Sequence, residues 1–399
     1  MTVNKVPQAE LAARITRFTS AMDEYSPGWE MCAIVGDVNM FYLTGTICDG
    51  VLLISRAANS ATLWVRRSYE RAVLESEFGD IRPMGSFRDI AGASGDLPGT
   101  LYLDMSAATL EWYGLFSKYM KFAAVLPLDK IMLRVRSVKS DYELSIMRRA
   151  GEIIDGLLCN DFPRLLRPGM SEAELGGELF SLLVKNGYHG VSRFSMRNAD
   201  VIMGHICFGE GSLYPSVFNG ASGLVGLSPG TPVLGSRQSH LNAGNLIYID
   251  VDFGIDGYNT DRTVIYSYKN PQPDFVNAAH AHCLELERMA ADMLLPGAIP
   301  AEIYSTVLEQ VRPEYRDCFM GAPGRPVPFL GHSVGLYGDE TPVIAKGFND
   351  PLERGMTMAI EPKIGIAGHG MVGSENTYLI TESGPVSLTG GRLDIIVCP

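Results

Sequence analysis

The 399-residue sequence has no basic run, and its formal net charge is −12. An acidic chain of this kind argues against a nucleic-acid or anionic-membrane surface. No apolar stretch approaches the roughly 18–20 residues of a membrane span. The opening MTVNKVPQAELAARI lacks a charged segment followed by an apolar core, so no secretory signal is read. No two cysteines form a C-x-x-C pair. Cys32, Cys48, Cys159, Cys207, Cys283, Cys318 and Cys398 are scattered and odd in number, as expected for reduced thiols in a cytoplasmic protein. With 46% apolar and 20% charged residues, the composition is that of a globular enzyme long enough for two domains.

The first third alternates strand and helix patterns. A helix is expected over about 8–25. MCAIVG (31–36), NMFYLTG (39–45), GVLLIS (50–55) and ATLWV (61–65) read as short strands broken by Gly, Asp and Asn. SYERAVLESEF (68–78) reads as helix, TLYLDM (100–105) as strand and SAATLEWYGLFSKYM (106–120) as helix, so an α/β domain is expected. RVRSVKSDYELSIMRRAGEIIDGLL (134–158) forms the join. Ser140 and Glu143 there make a capping-box pattern that should open a long helix. Further on, RPGMSEAEL (167–175) and LPGAIPAEI (295–303) echo one another, each at the head of a predicted helix. A true echo would make the second domain two related halves with a cleft between them.

YIDVDFGIDGYNTDRT (248–263) carries Asp250, Asp252, Asp256 and Asp261. Alternate strand residues share a face, so Asp250 and Asp252 point the same way. With Asp256-Gly257 as a two-residue turn, Asp252 stands opposite Asp261 and Asp250 one diagonal step away. Carboxylates this close need protons or a cation, unless the strands are exposed edges with solvated acids. Three further donors lie downstream: His332 between glycines in FLGHSVGLYGDE, Glu361 in the apolar MTMAIEPKIGI, and Glu375 at the head of the strand ENTYLIT. An acid inside an apolar strand costs several kcal/mol unless it is paired or metal-bound. Carboxylates with one imidazole suit a pair of divalent first-row ions, with Mn, Co, Fe and Zn all open.

In this order the motifs resemble those of the pita-bread metallohydrolases, the M24 peptidase family of methionine aminopeptidase, aminopeptidase P, prolidase and creatinase. The resemblance covers nearly the whole chain, since NMFYLTG and RVRSVKSDYELSIMRRAGEI look like the creatinase/prolidase N-terminal domain and its junction. That family spaces its first two aspartate ligands eleven residues apart with Gly-Tyr commonly between them, as Asp250, Gly257-Tyr258 and Asp261 do here. The resemblance implies an α+β chain. A smaller α/β creatinase-type domain would cover 1–133, and a pita-bread catalytic domain 134–399. It implies two divalent metal ions, Mn or Co favoured, held by Asp250, Asp261, His332, Glu361 and Glu375, with Glu361 also relaying a proton. It further implies a metal-bridging hydroxide that attacks an amide carbonyl, and a homodimer.

The sequence also departs from the family pattern. Asp252 replaces a residue that is usually small, and Asp339 stands where the peptidases carry a second histidine. Gly373 takes the place of the arginine that prolidases and aminopeptidases P have two residues before the last glutamate. Their upstream histidine has no counterpart in 221–233; His205 and His240 are the nearest. Candidate substrate contacts are therefore His205, Asp252 and Asp339. The resemblance implies a metal-dependent Xaa-Pro aminopeptidase or prolidase-like peptidase acting on a small peptide. The alternative is an enzyme of the same fold acting on a small zwitterionic metabolite, as ectoine hydrolases or sulfoniopropionate lyases do. A metal-free creatinase-like hydrolase or binding module is the third reading.

Overall fold

Ser140 opens a helix by the reciprocal bonds its sequence pattern calls for. Its hydroxyl accepts from the Glu143 N–H at 3.2 Å, and the Glu143 carboxylate accepts from the Ser140 N–H at 2.8 Å. The helix runs Asp141–Gly156 and buries Ile146, Met147, Ala150 and Ile154. It lies near the start of the second of two units, Met1–Arg136 and Ser137–Pro399, in the computed structural model, which describes residues 4–196, 201–218, 220–391 and 393–399.

The N-terminal unit holds a six-stranded mixed sheet. Its order is Ile81–Pro83, Ser60–Arg67, Asp49–Ser55, Met31–Ile34, Thr100–Leu103, Ala124–Pro127. Met31–Ile34 pairs antiparallel with Asp49–Ser55 and parallel with Thr100–Leu103, and helices fill the longer connections. Phe87, Trp112 and Phe116 pack with ring centroids 4.8–5.4 Å apart and cover the sheet's apolar residues.

One element differs from expectation. NMFYLTG is not a strand; it belongs to the helix Asp37–Thr44. Val38, Met40, Tyr42 and Leu43 are all buried, which hides the helical period. The ends of the segment define it instead. Val35 and Gly36 donate their N–H groups to the Asp104 carboxylate at 3.0 and 2.8 Å, turning the chain out of the preceding strand. Gly45, at φ +74°, closes the helix with its N–H on the Phe41 carbonyl.

The C-terminal unit uses one order of elements twice. Helices Asp141–Gly156 and Glu172–Lys185 precede a four-stranded sheet ordered Ile396–Cys398, Tyr258–Tyr268, Leu246–Ile255, Gly204–Phe208. Helices Asp274–Asp292 and Pro300–Gln310 precede a five-stranded sheet ordered Glu340–Ala345, Phe329–Ser333, Thr357–Ile360, Asn376–Thr381, Gly384–Ser387. The two echoing sequences lead into the second helix of each pair. All eleven residues of Tyr258–Tyr268 are buried, so its acids are not those of an exposed edge. The two sheets are tied where the Thr263 N–H donates to the Glu375 carbonyl at 3.2 Å and the Asp261 N–H to the Thr377 hydroxyl at 2.8 Å. Among the described residues no helix is long and apolar enough to cross a membrane, and none of the seven cysteines is in a disulfide.

Ser140→Ala removes one half of the capping box. The expected loss is about 1 kcal/mol, read as a lower urea midpoint with an unchanged slope.

Candidate metal centre

Asp256 and Gly257 take φ values of +50° and +92° and reverse the chain in two residues. The register places Asp252 opposite Asp261 and Asp250 opposite Thr263, so Asp250, Asp252 and Asp261 share a face. His205, on the neighbouring strand, stands opposite Asp250. The second sheet brings His332 on Phe329–Ser333 and Glu375 just before Asn376–Thr381. MTMAIEPKIGI proves to be two strands, Thr357–Ile360 and Lys363–Ile366, because Pro362 has no N–H to continue a ladder. Glu361 sits at that break. These side chains line a cavity of about 350 Å³ together with Phe194, Phe218 and Phe329.

A side chain that the acid-counting view of the sequence overlooks occupies the middle of the group. Lys363 Nζ lies 2.8 Å from Glu361 Oε2, 2.8 Å from Glu375 Oε2 and 3.1 Å from Asp250 Oδ2, with its side chain only 2% exposed. The Tyr248 hydroxyl donates to the same Asp250 oxygen at 3.0 Å. The Thr263 hydroxyl lies 2.8 Å from Asp250 Oδ1 and 3.0 Å from Glu375 Oε2. His332 Nε2 is 3.3 Å from Glu361 Oε1 and 3.8 Å from Glu375 Oε1. The signal for Lys363 was present in EPKIGI: an acid and a base two residues apart in an otherwise apolar stretch.

Burial opposes every charge here, and the neighbours decide the outcome. At Asp250 the Lys363 ammonium outweighs burial and brings the carboxyl down to about 2. Glu361 is also lowered, as Lys363 and His332 together overcome its burial. At Asp261 and Glu375 burial and the nearby carboxylates act together and push both well up. His332 rises to about 9 against its burial because Glu361 holds it. Lys363 thus offsets Asp250 and Glu361, whereas at Glu375, despite the same 2.8 Å contact, burial and the neighbouring carboxylates prevail. Asp261, Glu375 and His332 each offer a donor atom, all within 4.8 Å of one another, and among the described residues Glu375 Oε1 has no hydrogen-bond partner. Two carboxylates and an imidazole with an unsatisfied oxygen fit one divalent ion.

The remaining candidates are placed as follows. Asp252 is 2% exposed and lines the cavity, and among the described residues neither of its carboxylate oxygens has a hydrogen-bond partner. Burial pushes its carboxyl up to about 8. His205 also lines the cavity; its Nδ1 is 2.9 Å from the Ser222 hydroxyl, and its Nε2 is unpartnered. Burial lowers its pKa to about 4, so the ring is neutral. Asp339 reaches the cavity but accepts from the Ser195 N–H and hydroxyl, at 2.5 and 3.2 Å, which holds the 192–196 segment in place. His240 does not line the cavity; its Nδ1 is 2.8 Å from the Gln238 carbonyl. Gly373 faces Lys363 across the hairpin. Its φ is +146°, and an added Cβ would fall 2.4 Å from the Pro362 carbonyl oxygen and 3.0 Å from Lys363 Cγ.

The model of "Metallopeptidase family M24" matches residues 145–382, and that of "Creatinase/Prolidase N-terminal domain" matches 14–138. The chain belongs to metallopeptidase family M24. It is similar to the Xaa-Pro dipeptidase of Pyrococcus furiosus, 26% identical over 96% of this chain and 99% of that protein. It is 29% identical to the probable dipeptidase PepE of Mycobacterium tuberculosis over 69% of this chain, a match spanning 65% of that relative's length. Among solved structures, the prolidase of Pyrococcus horikoshii superposes with a TM-score of 0.76 at 22% identity, covering 96% of this chain and 100% of that one. Dipeptidase PepE of Mycobacterium ulcerans gives 0.77 at 22%, covering 99% and 100%. The M24 fold is therefore a pita-bread domain preceded by a creatinase-type N-terminal domain, in the α+β class.

Gly373→Ala should destabilise the protein by roughly 1–3 kcal/mol through backbone strain. It should also shift the Lys363 stem. Urea unfolding reads the first effect, and a crystal structure of the variant reads the second.

Proposed function

We propose that this M24 chain is a metal-dependent hydrolase that cleaves an amide bond in a small, dipeptide-sized substrate. The observation that carries the reading is the convergence of Asp261, His332 and Glu375 in a cavity that Phe194, Phe218 and Phe329 also line. The cavity, about 350 Å³, is at the small end of ligand sites. Relatives named as dipeptidases and Xaa-Pro dipeptidases support the same class. A cytoplasmic homodimer belongs to this reading, supported by the family resemblance and, for the compartment, by seven cysteines without a disulfide.

A divalent ion held by Asp261, His332 and Glu375, with Mn or Co favoured by the resemblance, would supply an acidified water and a polarised carbonyl. Glu361 stands beside that position with Oε1 toward His332. In this reading it accepts the proton that the attacking water gives up and passes it to the leaving amine. Lys363 on its other oxygen keeps Glu361 ionised and correctly turned. With the Ser222 hydroxyl donating to Nδ1, His205 carries its proton on Nε2 and donates to a substrate oxygen.

A second reading rests on Asp252. A buried carboxylate with no hydrogen-bond partner among the described residues, facing the cavity beside three phenylalanines, suits a cationic substrate group. That favours a small zwitterionic substrate over an ordinary dipeptide.

Chelation should abolish turnover of an Xaa-Pro dipeptide panel, and added Mn²⁺ should restore it; undiminished turnover after chelation sinks the first reading. Glu361→Gln should lower kcat by roughly 10²–10⁴-fold while the protein still binds metal. Asp252→Asn should raise KM for cationic amides about tenfold, a loss of about 1.4 kcal/mol, and leave neutral analogues unchanged. Equal effects on both classes would remove the second reading.

A further inference from the structure

We infer that the Lys363 ammonium permanently fills one of the two cation positions offered by the carboxylate set, so that the chain holds a single divalent ion, at Asp261, His332 and Glu375. The inference rests on the reading of the cavity as a metal-dependent site and sets its stoichiometry.

An ammonium has three N–H donors and no acceptor. Lys363 Nζ has three carboxylate oxygens at hydrogen-bonding distance, from Asp250, Glu361 and Glu375, so its donors are fully used within the cavity. A first-row ion in the same place would need those same oxygens at about 2.0–2.2 Å. It would also have to sit in contact with a positive charge. Asp250, expected from the family resemblance to hold metal, is already satisfied without one. Oδ1 accepts from Thr263, and Oδ2 accepts from Tyr248 and Lys363.

The lysine is held in this position by its burial and its three carboxylate partners. Its side chain is 2% exposed, and its stem runs past Gly373, where even a methyl group would lie 3.0 Å from Cγ. On the other side of the cluster the situation is reversed. Glu375 Oε1 has no hydrogen-bond partner among the described residues, and the donor atoms of Asp261, His332 and Glu375 lie within 4.8 Å of one another. The five-residue donor set therefore splits. One part is closed by an internal cation, and the other stays open to an external one.

Wild-type protein incubated with excess Mn²⁺ and desalted should carry one ion per chain by elemental analysis. Crystals soaked in Mn²⁺ should give one anomalous peak, bounded by Asp261, His332 and Glu375. Lys363→Ala, which deletes the ammonium and leaves every carboxylate, should raise the count to two. Two ions in the wild type, or a peak in contact with Asp250, overturns the inference and leaves the metal-dependent reading standing. A count that stays at one in a folded Lys363→Ala protein also overturns it. No ion in the wild type defeats the metal-dependent reading itself, and the inference with it. The wild-type count and the soaked crystal require no variant to fold.

Discussion

Asp250, Asp261, Glu361 and Glu375 are all buried in one cavity or nearly so, and their mutual repulsion constrains the C-terminal unit. Two unit charges about 4 Å apart repel by roughly 4 kcal/mol even at an effective dielectric constant of 20. Such groups cannot all stay ionised side by side unless cations balance them or some take up protons. The fold relieves this with a cation on a short hairpin. Lys363 touches three of the four acids, and the hairpin stays tight because Gly373 leaves room for the lysine stem. The Tyr248 hydroxyl donates to the Asp250 oxygen that Lys363 also contacts, and the Thr263 hydroxyl lies between Asp250 Oδ1 and Glu375 Oε2. What remains unbalanced, Asp261 and Glu375 beside His332, is where a metal is proposed to bind.

Much of this architecture was legible in the sequence because local chemistry set it. The Ser140–Glu143 box opens its helix, and Asp256-Gly257 makes its two-residue turn with the expected register. Both depend on contacts within a few residues, so the tertiary environment has little to override. NMFYLTG misled for the opposite reason. A short segment buried on most sides shows no period, and its helix is fixed by Asp104, more than fifty residues away in sequence. MTMAIEPKIGI looked like one strand because its apolar run is continuous, yet Pro362 divides it and places Glu361 at the break.

The site was legible as a set of acids and less so as a balance of charge. Turn geometry alone pointed to Asp252 and Asp261, and the resemblance pointed to Asp250 and Asp261. The structure brings all three to one face, then separates them by their partners. Asp250 is fully hydrogen-bonded, Asp252 has no hydrogen-bond partner among the described residues, and Asp261 lies with the open donors. Such distinctions depend on Thr263, Tyr248 and Lys363, which carry no metal-ligand signature in sequence. A lysine is read by default as surface, and only its place between Glu361 and an apolar run hints at burial.

One departure from the family pattern bears directly on the carboxylate cluster. Prolidases and aminopeptidases P usually carry an arginine where this chain has Gly373, and Gly373 faces Lys363 directly across the hairpin. Any side chain at 373 would begin 2.4 Å from the Pro362 carbonyl and press on the lysine stem. With this backbone, an arginine at 373 and a buried lysine at 363 exclude one another. The positive charge of this hairpin lies within the carboxylate cluster itself. There it works at distances of 2.8–3.1 Å in a water-poor setting, where an ion pair is least screened. A charge placed so close acts on the ionisation of Asp250 and Glu361 rather than on the outer rim of the cavity.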